Sequence, residues 1–170
     1  MSTNLQFLNQ YTARSSINLV VTDCFTDAYD FYQVHIKIDG RTVQTYDWFR
    51  FVDTSGNVIS DTEYAYAQQD MSANSTSFSY SKNNSSTVIA NIGISGTAFE
   101  KGSRIIINVF QPYDSNACSM IEGQSVGWTG NGYGTKFCGV HKVPERTPGF
   151  QLISGSGTYN NIQAKVFGVK

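Results

Sequence analysis

The stretch Tyr32-Gln33-Val34-His35-Ile36-Lys37-Ile38-Asp39-Gly40 decides the fold class. Tyr32, Val34, Ile36 and Ile38 alternate with Gln33, His35 and Lys37, the period-two signature of a strand with one buried face. Asp39-Gly40 follows directly. Asp-Gly between alternating runs predicts a hairpin, because both residues tolerate positive φ. The returning strand reads as Thr42 to Val52. Its alternation puts Val43, Thr45, Asp47, Phe49 and Phe51 on one face, and Gln44, Tyr46, Trp48, Arg50 and Val52 on the other. Neither face is purely apolar, so a bulge or a second packing surface is expected.

Outward from this unit the period remains two. Asp53-Thr54-Ser55-Gly56-Asn57 has the composition of a turn. Further strands are expected near Ser77 to Tyr80, Thr87 to Ile94 and Arg104 to Phe110, with breaks at Lys82 to Ser86 and Ser95 to Gly102. Ile105-Ile106-Ile107 suits a strand buried on both faces. Another strand runs from Thr135 to Val143, and Pro144 to Pro148 breaks it. Gly149 to Ile153 and Asn161 to Val169 flank Ser154-Gly155-Ser156-Gly157 and read as a closing hairpin. Tyr64 to Met71 suits a helix or a strand equally. These segments predict an all-β fold, an antiparallel β-sandwich or jelly roll of about 8–10 strands. Residues 1–16, with Leu5, Phe7, Leu8 and Tyr11, read as an N-terminal docking arm or an edge strand, and residues 17–170 as a single sandwich domain.

Composition narrows the function. The chain has 170 residues, 14% of them aromatic and only 15% charged, with a net charge of -1. Aromatic content and low net charge exclude a disordered chain, and Ser, Thr, Asn and Gly take the place of the missing charge. Lys and Arg are spread along the sequence without a block, so nucleic acid is not an expected partner. No apolar run approaches the roughly 18 residues of a membrane span. Met1 to Ser16 has no continuous apolar segment, so no secretory signal is expected. Cys24, Cys118 and Cys138 read as reduced and mostly buried, with a Cys118 to Cys138 bridge as the alternative.

Few residues carry chemistry. His35 and His141 are the two histidines. Cys118, Cys138 and His141 lack a fourth zinc ligand, and alternation sets Cys138 and His141 on opposite strand faces. The same facing argument weighs against a Cys-His nucleophile. Asp23, Asp27 and Asp30 offer a pair of carboxylates for a depolymerase, although Asp beside a strand is ordinarily a turn or cap residue. Asp53 to Asn57 matches half of a calcium loop. The sequons at Asn74 and Asn84 read as polar turns. Gly127-Trp128-Thr129-Gly130-Asn131-Gly132-Tyr133-Gly134 is the segment most suggestive of function. Trp128, Asn131 and Tyr133 have the parts for sugar stacking or for anchoring a protein contact; the plainer reading tucks both rings back onto the sandwich. No catalytic residue, metal or cofactor is expected.

The run Ser16-Ile17-Asn18-Leu19-Val20-Val21-Thr22-Asp23-Cys24-Phe25-Thr26-Asp27-Ala28-Tyr29-Asp30-Phe31-Tyr32 resembles the opening of β-rich virion structural proteins of tailed bacteriophages, frequent in marine and cyanobacterial phages. Gly149-Phe150-Gln151-Leu152-Ile153, then Thr158 to Lys165 and the closing Val166-Phe167-Gly168-Val169-Lys170, are similar to that group's C-terminal hairpin. The resemblance implies a jelly-roll-like domain on a virion appendage, commonly a homotrimer, with no catalytic residue to carry over. No coiled-coil heptad run precedes the β region, so a stand-alone virion component is expected rather than a complete fibre. The resemblance leaves two non-enzymatic roles, a tail-fibre or receptor-binding protein and a capsid decoration protein, and the Gly127 to Gly134 segment suggests a third of another class, a lectin-like carbohydrate-binding module. The expected partners are other virion proteins, further copies of the chain and a host surface glycan, in a virion assembled in the host cytoplasm.

Overall fold

A computed structural model describes residues 4–97 and 101–170. Its elements are β1 (Leu5–Ser16), β2 (Asn18–Val21), β3 (Phe31–Ile38), β4 (Thr45–Val52), β5 (Tyr64–Ser72) and β6 (Ser79–Ser86), followed by β7 (Ile89–Ser95), β8 (Ser103–Phe110), β9 (Cys118–Trp128), β10 (Gly132–Pro144), β11 (Gly149–Ser154) and β12 (Tyr159–Val169). No helix occurs among the described residues. Every strand pairing is antiparallel. One sheet has eight strands in the order β1-β12-β3-β8-β9-β10-β5-β6, and the other has four, β2-β11-β4-β7. The fold is an antiparallel β-sandwich, as the period-two pattern predicts.

The pairings nest: β1 with β12, β2 with β11, β3 with β8, β4 with β7 and β5 with β6. Nested antiparallel pairs distributed over two sheets describe a long hairpin rolled up, which is the jelly-roll arrangement. The β9–β10 hairpin is inserted between β8 and β5 and widens one sheet beyond the other.

Two expected hairpins are absent. β3 pairs with β12 and β8, whereas β4 lies in the small sheet against β11 and β7. Asp39-Gly40 therefore carries the chain between sheets, with Gly40 at φ 71°. Likewise β11 and β12 lie in different sheets, and Ser154 to Gly157 is a crossover. The two crossovers run side by side: Asp39 N donates to Asn161 O, Asn160 N to Gly40 O and Thr42 N to Thr158 O. Each segment has turn chemistry, but its flanking strands lie in opposite sheets, where Val34, Ile36 and Ile38 of β3 and Phe49 and Phe51 of β4 turn into the same core.

Other differences are local. Tyr64 to Met71 is strand. Lys82 to Ser86 continues β6 instead of breaking it. β8 is buried on one face: Ile105, Ile107 and Val109 are inside, and Ile106 is exposed, because the small sheet covers only one side of the large one. The described residues form twelve strands, against about eight to ten expected; β9 and the N-terminal pair account for the excess.

The core lies between the sheets. Phe25, Phe49, Phe51, Tyr32 and Phe150 have no exposed surface. Phe150 stacks on Phe49 at 5.7 Å and on Phe25 at 5.8 Å, and Phe49 meets Phe51 edge-on at 5.0 Å. Each such ring stabilises the fold by about 1.5–3 kcal/mol through burial alone.

Candidate functional site

The small sheet packs on one face of the large sheet and leaves the other open. Register fixes which side chains share the open face, since directly opposed residues of an antiparallel pair point the same way. Gln33 lies opposite Asn108, Asn108 opposite Glu122, Glu122 opposite Cys138, and Cys138 opposite Ala67. One row of side chains thus crosses β3, β8, β9, β10 and β5.

Gln33, Asn108 and Glu122 of that row form a relay with His35, two residues along β3. His35 Nε2 lies 2.6 Å from Gln33 Oε1, Gln33 Nε2 donates to Asn108 Oδ1 at 3.0 Å, and Asn108 Nδ2 donates to Glu122 Oε1 at 3.3 Å. Each amide spends its nitrogen on the next acceptor, so His35 is the donor to Gln33 Oε1 and the relay ends at a carboxylate. Burial, and then the Lys165 charge, hold the His35 imidazole below its ordinary pKa. A cavity of about 490 Å³ lies over this relay, lined by Gln33, Asn108, Glu122, Gln124 and Lys136.

Beside it lies a larger, mainly apolar groove of about 750 Å³, which shares Glu122 with the first cavity. The groove arises from side-chain size. β5 presents Ala65 and Ala67 outward while Tyr64 and Tyr66 turn toward the core, and Cys138 is the neighbouring small residue on β10. Phe110, Met120 and Val140 rise around these small positions.

Charge is segregated by the fold. Arg14, Lys37, Lys82, Arg104, Lys136 and Lys165 project from the open face, half of the chain's twelve Lys and Arg. Among the described residues, the strands of this face contribute one carboxylate, Glu122. Asp39, at the end of β3, forms ion pairs with Lys37 at 2.9 Å and Arg104 at 3.5 Å. These cations are spread over the open face from β1 to β6, and Asp39 pairs with two of them.

The residues singled out from sequence scatter. Trp128 and Tyr133 lie at the ends of β9 and β10 rather than on a long loop, and the connecting turn is only Thr129-Gly130-Asn131. Trp128 is opposite Gly132, and Tyr133 is opposite Gly127, so the two rings point to opposite faces. Trp128 is 49% exposed, on the open face near Arg104. Tyr133 turns inward, its hydroxyl 3.3 Å from the Tyr46 hydroxyl. Burial, then Tyr46 and Asp70, push the Tyr133 hydroxyl above its ordinary pKa. Asn131 is exposed in the turn. Leu5 and Phe7 are exposed on β1, while Leu8 and Tyr11 pack against the core; all four belong to a strand paired with β12.

The chemical candidates are separate too. Asp27 and Asp30 line one cavity of about 350 Å³ with Asp114, and Asp23 lines another. His141 is fully buried beside the Tyr64 ring, with its Nε2 3.4 Å from Glu63 Oε2, whereas Cys138 is exposed on the other face. Only Cys24 of the three cysteines is buried, a correction to the sequence expectation, and all are free. Cys118 lies opposite Pro144 and Cys138 opposite Glu122, a register that keeps the two thiols apart. Among the described residues no group of three His, Cys, Asp or Glu is placed to hold a metal ion. Asp53 is a turn residue: its carboxylate accepts from the Ser55 and Asn57 amides at 2.8 Å each.

Gln33, Asn108, Glu122 and Lys136 carry no sequence signal of their own. Alternation places Gln33 and Lys136 on polar strand positions but gives Asn108 and Glu122 no such place, and only the strand order brings the four together.

The chain matches no protein-family model and no curated protein. Among solved structures, it is similar at 9% identity and a TM-score of 0.30 to the marine PL-14 alginate lyase from Aplysia kurodai, over 90% of this chain and 81% of that one. The catalytic domain of PdAgaC gives 7% identity and a TM-score of 0.21, over 96% and 76%. Likenesses this slight bear on neither fold nor activity.

Proposed function

We propose that the chain is a non-enzymatic recognition protein on the surface of a tailed-phage virion, of tail-fibre or receptor-binding type, which engages its partner through the open face of the large sheet. The observation that carries the recognition reading is the uncovered face itself, with its hydrogen-bonded relay beside a groove of about 750 Å³. Concave, mainly apolar sites with a few convergent polar groups are the usual form of a binding site. The virion setting is supported by the resemblance of Ser16 to Tyr32 and of Gly149 to Lys170 to virion proteins. A non-enzymatic role is supported by the separation of His35, His141 and the Asp23, Asp27 and Asp30 carboxylates over different faces and loops.

The test is Ala67→Phe, which fills the groove from an exposed strand position without touching the core. Particles carrying it should adsorb to cells at least tenfold more slowly, and cryo-EM of particles should locate the protein on the tail. Density on the head with unchanged adsorption would replace this reading with capsid decoration.

A further inference from the structure

The geometry points to an anionic polysaccharide, with carboxylate or sulfate groups on a polyhydroxylated chain, as the ligand of the open face. This inference rests on the reading of that face as a recognition surface and gives its ligand a chemical class. Three features of the face converge on it.

The first is charge complementarity. Lys165 on β12 and Lys136 on β10 flank the relay on either side, and Arg14, Lys82 and Arg104 extend the positive field along the sheet. This face carries half of the chain's Lys and Arg but few of its carboxylates, so in a chain of net charge -1 the remaining surface is net negative. Such a distribution draws an anion to one face and repels it from the others.

The second is the balance of donors and acceptors. Gln33 and Asn108 each keep one N–H and one lone pair beyond the relay, and Glu122 keeps its second oxygen. Sugar hydroxyls both donate and accept, so they satisfy all of these. Nucleic-acid phosphates accept only, and a backbone laid across the relay would set them against the Glu122 carboxylate. The same cations therefore favour a glycan over a nucleic acid.

The third is span. Strands lie about 4.8 Å apart, so the five strands from β12 to β10 carry Lys165 and Lys136 roughly 19 Å apart. Between them, in the same row, lie His35, the part-exposed Ile106 and Gln124, with the Phe167 ring tilted against His35 at 4.8 Å and exposed Trp128 toward one rim. The site is an extended track suited to several consecutive sugar units, rather than a pocket for one.

The test uses titration calorimetry of the full chain with three probes: a polyuronate oligosaccharide, a neutral glucan of the same length, and a DNA oligonucleotide of matched charge. The polyuronate should bind with an affinity that falls as salt rises. Lys136→Gln with Lys165→Gln should weaken it at least tenfold at low salt and remove most of the salt dependence. Gln33→Ala with Asn108→Ala should weaken it at every salt concentration, with circular dichroism reporting an intact fold. Equal binding of the neutral glucan overturns the anionic assignment while leaving the face as the binding surface. Tighter binding of DNA overturns the glycan assignment. Polyuronate binding unchanged by all four substitutions puts the ligand elsewhere and overturns both readings. Binding of none of the probes overturns this inference, and the Ala67→Phe adsorption test then decides the parent reading on its own.

Discussion

The Arg41 guanidinium donates to Asp47 Oδ1 in an ion pair that solvent does not reach, the two side chains being 0% and 1% exposed. Arg41 leaves the Asp39-Gly40 crossover and Asp47 sits on β4, so the pair ties the large sheet's exit to the small sheet. Arg41 also donates to Ser95 Oγ at 2.5 Å and Ser154 Oγ at 3.0 Å. Tyr159 closes the cluster, donating to Asp47 Oδ1 at 2.9 Å while its ring lies 4.9 Å from the guanidinium carbon. Both crossovers, β4, β7 and β12 thus meet at one buried charge pair.

Removing one member of this pair leaves the other charged and buried. Asp47→Ala should destabilise the domain by about 3–5 kcal/mol, read from urea unfolding midpoints. Replacing both partners together, as Arg41→Met with Asp47→Leu, should recover much of that loss, because no unpaired charge remains. A double variant as unstable as the single one would show that the cluster's hydroxyl hydrogen bonds, not the charges, hold the corner.

Around this corner alternation marks the strands but not their partners. The strands around it were legible from alternation: β3, β4, β7, β8, β10, β11 and β12 all overlap the predicted segments. Their partners were not, because Asp-Gly and Ser-Gly turn chemistry permits a crossover as readily as a hairpin. Arg41 had no signal as a buried residue, since it adjoins a turn. β9 was missed for a different reason. Its inward positions are Ser119, Ile121, Gly123, Ser125 and Gly127, and its outward ones are Met120, Glu122, Gln124, Val126 and Trp128, so the larger side chains point away from the core. The relay needs Glu122 of β9, so the polar face of β3, which alternation does mark, does not by itself reveal the site.

The two aromatics of the glycine-rich hairpin should respond oppositely to substitution. Trp128→Ala removes a largely exposed ring and should shift stability by no more than about 0.5 kcal/mol, while weakening adsorption. Tyr133→Phe leaves the face untouched but removes the hydrogen bond to Tyr46, at a cost of about 1 kcal/mol. Adsorption and thermal unfolding measured on both variants separate the two roles. Equal effects on adsorption would mean that the hairpin acts as one unit.

His35 gives the stability a dependence on mild acid. Burial and Lys165 depress its folded pKa, whereas the unfolded imidazole takes a proton near 6.5. The unfolded state therefore binds more protons as pH falls through that value, and folding stability declines until the folded ring also titrates. Unfolding midpoints at pH 7.5 and 5.5 should differ more for the native chain than for His35→Gln. Lys165→Gln should raise the His35 pKa, measured from its imidazole proton shifts. Asp39 adds a separate change at lower pH. Burial alone would raise its carboxyl, but Lys37, Asn161 and Arg104 outweigh it and hold the pKa down. The stability it contributes is present above its unfolded value and is lost as pH falls through the folded one.

The cysteines offer a chemical test of the groove. Cys138 is exposed on the open face, Cys118 is half-buried with its thiol donating to Lys142 O at 3.4 Å, and Cys24 is buried with its thiol pushed up by burial. A maleimide should therefore label Cys138 first and Cys24 only after unfolding. Because Cys138 faces Ala67 and Glu122 across its neighbours, a bulky label there should occupy the groove and lower adsorption. Cys138→Ser should resist the reagent and keep full adsorption; loss of adsorption in labelled Cys138→Ser would place the sensitive site elsewhere.

The glycines around Trp128 have a structural reason independent of any ligand. A Cβ at Gly127 would stand 2.1 Å from the carbonyl oxygen of Ile94, where β7 passes under β9. Backbone on both sides leaves no flexible group to yield, so Gly127→Ala should force the sheets apart and cost about 1–3 kcal/mol. Gly130 has open space around it but a φ of +106°, so Gly130→Ala strains the turn without crowding the core. Thermal unfolding should then rank Gly127→Ala as the more damaging. Recovery of Gly127→Ala by Ile94→Ala would contradict a backbone clash as the cause, because trimming the Ile94 side chain leaves its carbonyl oxygen in place.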